Sequence, residues 1–325
     1  MFKQILMTIL TCIRYVRKLF NKYSDEEVEE IKQELQLKLN TLVDINKYDS
    51  IPKPTKYDWL YNVRERGQTI DEYINYRYTK PDSIRKKIYI LPITSENDIE
   101  LNYDKIIRYV SIFFQMDTIL MKEIDIKSIS EKYREQDFFK HKQYLTGDIM
   151  KNLLKIIPTD AFCMLGVTNV DLYPDDNYSF VFGVASYHQR VGISSILRFS
   201  ESFYKNLSKD DMDEYNKIYN KEYNSDFIQE QNMDTMLNRT TKIITHEILH
   251  MFSMEHCIYY NCLMCGINGM IELDRWSHSL CCICIQKLYI ATNFDIKKRQ
   301  TELVEYYKNN DMIKEIDKNT IVDQS

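Results

Sequence analysis

Residues 240–257 read TTKIITHEILHMFSMEHC, and this stretch decides how the chain is organised. Ile244, Ile248 and Phe252 recur every four residues, the spacing of one helix face, so His246 and His250 stand one turn apart on a common face. Two imidazoles in that relation converge on one ion, and Glu247, offset from the first of them, suits a general base better than a ligand. The pair alone is a short motif. His256 follows six residues after His250 and makes it specific. On a continuing helix it would lie about 9 Å further along and about 120° around, so the helix must stop and the chain turn back between Met251 and Glu255. Three histidines with an open fourth position are the arrangement expected of catalytic zinc.

Immediately downstream, six of the eight cysteines (Cys257, Cys262, Cys265, Cys281, Cys282 and Cys284) fall within 28 residues, a metal spacing rather than a disulfide framework. Spacing alone allows two ligand sets: a ribbon of Cys262, Cys265, Cys281 and Cys284, or one using Cys257 in place of Cys265. Cys12 and Cys163 read as small apolar fillers. Together these point to a reducing compartment, cytoplasmic or nuclear.

The segment resembles the archaemetzincins, metzincin zinc metalloproteases whose motif has the form HExxHxxGxxHC and continues with a cysteine, a methionine and CxxC. Here the run is His246, Glu247, His250, His256, Cys257, Cys262, Met264 and Cys281-x-x-Cys284. The likeness extends to DWL at 58–60, GQT at 67–69, DAFCMLGVTNVDLYP at 160–174, and FVFGVAS with VGI between 180 and 193; it covers most of residues 55–305 and looks closest to the eukaryotic branch. It implies a zinc metallopeptidase that hydrolyses peptide bonds with a zinc-activated water and Glu247 as general base. It further implies His246, His250 and His256 on a catalytic zinc, Cys257, Cys262, Cys281 and Cys284 on a structural zinc, hence two ions per chain, and Met264 as the Met-turn residue beneath the histidines. FVFGVAS is then the edge strand along which an extended substrate pairs. One position departs. The family motif has glycine where this chain has Ser253, and a left-handed serine costs roughly 1–2 kcal/mol. That departure supports an alternative, a catalytically inactive zinc-stabilised protein-binding module.

The rest of the chain reads as a mixed β-sheet with covering helices, an α/β (α+β) fold with the active-site helix and a C-terminal subdomain for the four-cysteine site. Strands are expected at 86–93, 118–126, 161–173, 179–186 and 192–199, and helices at 103–115 and 148–157. Ser24 and Glu27 form a capping box opening a helix, and residues 1–20 carry an amphipathic helical stripe whose apolar run, Ile5 to Ile13, is too short to span a bilayer. Residues 47–82, rich in Tyr, Pro and charge, read as a surface arm, dividing the chain into an N-terminal extension and arm (1–82), a catalytic domain (83–308) and a tail (309–325). Net charge −5, with no basic stripe, excludes an obvious nucleic-acid partner; the expected partner is a peptide or protein substrate, with no clear membrane segment and a monomeric chain. Asn177, Asn206 and Asn238 head sequons that matter only on secretion. His141 reads as exposed, while His188 and His278 are candidates to line a cleft.

Overall fold

The computed structural model describes residues 24–39, 48–75, 79–95, 99–136, 139–204, 208–219 and 233–312. The amphipathic stripe at 1–20, with Cys12, and nearly all of the tail lie outside the described residues. The capping box is formed: the Ser24 amide donates to Glu27 Oε2 at 2.7 Å and the Glu27 amide to Ser24 Oγ at 3.2 Å, opening helix α1 (Asp25–Leu39).

The main sheet grows from β1 (Lys87–Thr94), whose apolar run is buried on both faces as a central parallel strand requires. β2 (Thr118–Leu120) and β3 (Ile124–Asp125) pair with β1 in parallel on one side. On the other side β6 (Ala161–Thr168) and β9 (Val191–Ser195) follow in parallel, and β8 (Gly183–Ala185) closes that edge antiparallel to β9. Cys163, Leu165 and Val167 pack with Ile106 and Val110 of helix α4 (Tyr103–Phe114) and Ile244 and Ile248 of the long helix α8 (Met233–Met251). The intervening Met164 packs instead with Ile149 and Leu153 of helix α5 (Thr146–Ile156), so the two-residue period of β6 carries helices on both faces. A second sheet joins β4 (Tyr133–Gln136), β5 (His141–Leu145) and β7 (Asp171–Tyr173) in that order.

Three expectations change. The run 118–126 is two short strands separated by Met121–Glu123, and 161–173 divides at Asn169–Val170 because its end crosses to the second sheet. The arm at 47–82, mostly exposed or half-buried among its described residues, is more than a surface connection. Asp58, Gly67, Gln68, Tyr73 and Ile74 are buried, and this arm folds into helices α2 (Trp59–Asn62) and α3 (Ile70–Asn75) against the C-terminal half. Gly67 takes φ +73° where a Cβ would come within 2.6 Å of Ile258, so glycine lets the arm press against the segment after His256. No helix among the described residues is long and apolar enough to cross a membrane.

Candidate metal centre

Helix α8 delivers the first two histidines and stops where the ligand geometry requires. The Met254 amide returns to the Leu249 carbonyl at 3.3 Å and the Ser253 amide to that of His250 at 2.8 Å, a Schellman turn with Ser253 at its left-handed position, φ 65°. Ser253 therefore occupies the conformation for which glycine is preferred, and the turn forms nonetheless. Its hydroxyl accepts from the Thr79 amide at 3.1 Å, Gln68 Nε2 donates to its carbonyl at 3.1 Å, and Tyr73 donates to the Phe252 carbonyl at 2.9 Å. All three contacts come from the arm.

The reversal brings His256 to the other two rings: centroids are 4.6 Å apart for His246–His250, 5.2 Å for His246–His256 and 4.9 Å for His250–His256. One donor nitrogen of each lies within 4.8 Å of the others, and the Nε2 atoms of His246 and His250 are 3.0 Å apart. Every Nδ1 is occupied. That of His246 bonds the Leu263 carbonyl at 2.8 Å, that of His250 the Met254 carbonyl at 2.7 Å, and that of His256 the Glu65 carboxylate at 2.7 Å. This leaves the three Nε2 atoms to face one another. Burial, with His256 beside it, pushes His246 down to about 3, and burial carries His250 well below its ordinary value; both rings are thus neutral, as metal ligation needs. A cluster of three imidazole donors aimed at one point fits zinc.

Glu247 is buried beside the triad, and burial pushes its carboxyl up to about 8. It lies directly under β8: a Cβ on Gly183 would meet its Oε1 at 2.6 Å. Gly183, Val184 and Ala185 line a cleft of about 620 Å³ that also contains Trp59, Glu247 and the three histidines. Of the FVFGVAS run only Gly183–Ala185 is strand, and it is an edge of the main sheet. Phe180 and Phe182 are buried, with Phe180 3.8 Å from the Arg198 guanidinium.

Met264 is fully buried in the turn that closes this region, its carbonyl accepting from the Cys257 amide at 2.7 Å. Beyond it, the sulfurs of Cys257, Cys262, Cys281 and Cys284 lie within 4.8 Å of one another. Cys281 caps helix α10 (Cys282–Thr292) and Cys284 stands in its first turn, where the helix dipole favours thiolate. The Cys257 sulfur lies 3.7 Å from that of Cys281, and the neighbouring thiols hold Cys257 below the ordinary thiol range. Cys265 turns its sulfur to the Tyr260 carbonyl at 3.3 Å. Four clustered sulfurs also fit a zinc ion. The seven described cysteines are free thiols, and Cys163 is buried in the main core.

The remaining histidines do not join either cluster. His141, expected on the surface, donates or accepts at 2.8 Å with the wholly buried Asp171, which also holds Arg198 through two bonds of 2.8 and 2.7 Å. His188 is exposed on the turn after β8 and lies outside the cleft. His278 is buried against Tyr109, its Nδ1 3.3 Å from the hydroxyl, rather than lining a cleft. Glu65, Trp59 and Gly183 enter the site without having been singled out by sequence. Trp59 and Gly183 fall within quoted stretches, but only their three-dimensional neighbours reveal a role.

The model of peptidase family M54 matches residues 94–289. Human archaemetzincin-2 is 32% identical over 263 residues, covering 77% of this chain and 71% of that protein. Human archaemetzincin-1 is 27% identical over 259 residues, 77% of this chain and 52% of that one. Among solved structures, the archaemetzincin of Methanopyrus kandleri aligns with 66% of this chain and 99% of its own at 21% identity and TM-score 0.45. The chain belongs to peptidase family M54, the archaemetzincins, and is a zinc metallopeptidase.

Proposed function

We propose that the chain hydrolyses a peptide bond of an extended peptide or protein segment laid along β8, using a catalytic zinc on His246, His250 and His256 and Glu247 as the general base. A second, structural zinc on Cys257, Cys262, Cys281 and Cys284 ties the turn after His256 to helix α10. The observation that carries the reading is the orientation of the three rings: each Nδ1 is bonded, and each Nε2 is left for a common ion. Zinc held there would supply Lewis acidity toward a water and a carbonyl, and its positive charge would favour the ionised form of the buried Glu247.

Glu247 accepts a proton from the attacking water and passes it to the departing amine, so the products are a carboxylate and a free amine and no covalent intermediate forms. β8 is an edge strand among the described residues and lines the cleft, which suits strand addition by the substrate. In this organisation residues 83–308 carry the chemistry, and the arm at 47–82 braces it. Replacing Glu247 by Gln keeps the size of the side chain and removes the base. Turnover of a peptide library should vanish while zinc content stays at the wild-type level; cleavage at an undiminished rate sinks the assignment.

A further inference from the structure

The three ring partners differ in kind. Met254, in the turn that ends helix α8, and Leu263, beside Met264 and 17 residues from His246, supply backbone carbonyls, so those bonds do not depend on any side chain. The partner of His256 is a side-chain carboxylate 191 residues away, on the arm, in a part of the chain that precedes the 94–289 match to the family model. It is also the ring with the least backbone support. His246 and His250 project from a rigid helix, whereas His256 stands beyond the Schellman turn in irregular chain.

Glu65 is itself held. The Trp59 indole donates to its Oε1 at 2.5 Å, and the same indole meets the His256 ring edge-on, centroids 5.6 Å apart and planes at 80°. Trp59 is fixed in turn by Glu272, whose two carboxylate oxygens accept from the Trp59 amide at 3.1 and 3.0 Å, and by Arg275, which bonds Asp58 at 2.9 Å. Glu272 and Arg275 belong to helix α9 (Met270–Arg275), just after the Met264 turn.

We propose that Glu65 is a positioning residue of the metal centre: its carboxylate holds His256 with Nδ1 protonated and Nε2 presented to the metal, making the arm a working part of the site. This rests on the reading that the three histidines hold zinc. A carboxylate behind a ligating imidazole fixes the tautomer, restrains ring rotation and raises the basicity of the donor nitrogen, and its loss typically weakens metal binding by about 10–100-fold.

The test uses the full chain loaded with zinc and competed against a metallochromic chelator, resolving the histidine-bound ion from the cysteine-bound one. Four variants are compared with the native chain: Glu65→Ala, Glu65→Gln, Thr69→Ala and His250→Ala. Thr69 caps arm helix α3, accepting from the Glu72 amide at 3.1 Å, so its loss removes a local cap and leaves the Glu65 contacts to Trp59 and His256 in place. Glu65→Ala should weaken the histidine site by about 10–100-fold. Glu65→Gln, which keeps an acceptor oxygen but not the charge, should fall between, while Thr69→Ala should bind as the native chain does. A cobalt-substituted Glu65→Gln should also show a displaced visible absorption band, which a remote loss of stability does not produce. If both Glu65 variants bind within threefold of the native chain, or Thr69→Ala weakens the site as much as Glu65→Ala, the proposal is overturned. If Glu65→Ala fails to fold, Glu65→Gln decides alone. If the native chain binds a single zinc that His250→Ala leaves in place, the histidine site itself is refuted, an outcome distinct from a Glu65 effect that is absent from a normal two-zinc protein.

Discussion

Gly183→Ala isolates the packing of the general base from everything else in the site. The new methyl would stand 2.6 Å from Glu247 Oε1 and 2.7 Å from its Cδ and Cγ, against an ordinary contact of 3.4–4 Å. Either Glu247 or β8 must therefore yield by about 1 Å, and a misplacement of that size at a reacting group costs about 10²-fold in rate, or about 2.7 kcal/mol. The carboxylate is 5% exposed beneath the strand, so it has little room to rotate away harmlessly. Stability should respond differently. Among the described glycines only Gly67 has positive φ, so alanine suits the backbone at 183, and its smaller unfolded-state entropy favours folding by about 0.4–1 kcal/mol. The expected signature is a fall in kcat of about a hundredfold on a chelator-sensitive peptide substrate, with zinc content and thermal midpoint nearly unchanged. Gly192→Ala is the control. Its methyl would press on Ala185 and Leu165 at 2.9 Å and not on Glu247, so it should cost stability rather than the rate of the folded fraction. A Gly183→Ala enzyme with native zinc and kcat within about threefold of wild type refutes the reasoning from the 1 Å displacement.

Asp171→Asn leaves the buried Arg198 without its counter-charge and should destabilise by about 3–5 kcal/mol, read as a lower urea midpoint. Burial raises the Asp171 carboxyl, but Arg198 and His141 outweigh it and hold it below its ordinary 3.8; the stabilisation is therefore present above that value and lost as pH falls beneath it, and the variant should lose that part of the acid sensitivity. Cys257→Ser should cost one bound zinc and Cys265→Ser none; the reverse pattern by metal analysis restores the ribbon set. Ser253→Ala keeps the left-handed strain and loses the Thr79 bond, whereas Ser253→Gly loses the bond and the strain together, so the glycine variant should be the more stable by about 1 kcal/mol in denaturant unfolding. Equal stabilities would contradict a strained turn at this position.

Sequence periodicity was sufficient wherever an element is long and regularly buried. β1, α4 and α8 follow their apolar patterns, and the position of His256 alone demanded the turn that the structure builds at Ser253. It failed where apolar residues are buried for other reasons. Leu172 and Tyr173 continue the run of β6 in composition, yet they belong to β7 of the second sheet, and Phe180, on a buried guanidinium, and Phe182, packed on Phe180 and Phe199, form no strand. A run of apolar letters records burial, not which surface does the burying. The arm shows the converse. Its Tyr, Pro and charge content signals surface, but Asp58 is buried with Arg275 as its partner and Gln68 with Ser253, satisfactions supplied by residues about 200 positions away. Glu65 and Gly183 escaped notice for the same reason, since each acts through a contact that only the folded chain creates.

Ser253 and the arm are best understood together. A left-handed serine persists only where its surroundings over-determine the turn. Here the surroundings are the arm: Tyr73 and Gln68 bond the carbonyls of Phe252 and Ser253, and the Thr79 amide finds in the serine hydroxyl a partner that glycine cannot offer. The hydrogen bond contributes roughly 0.5–1.5 kcal/mol and the strain costs roughly 1–2, so the two nearly cancel and the departure from glycine is affordable in this chain. The same docking sets Glu65 behind His256 and Trp59 against its ring. Packing of the arm thus acts on the third histidine twice, through the backbone turn that brings it round and through the carboxylate that aims it. A loosened arm should therefore disturb the metal centre before it disturbs the sheet, because β1, β6 and β9 draw their core from helices α4, α5 and α8.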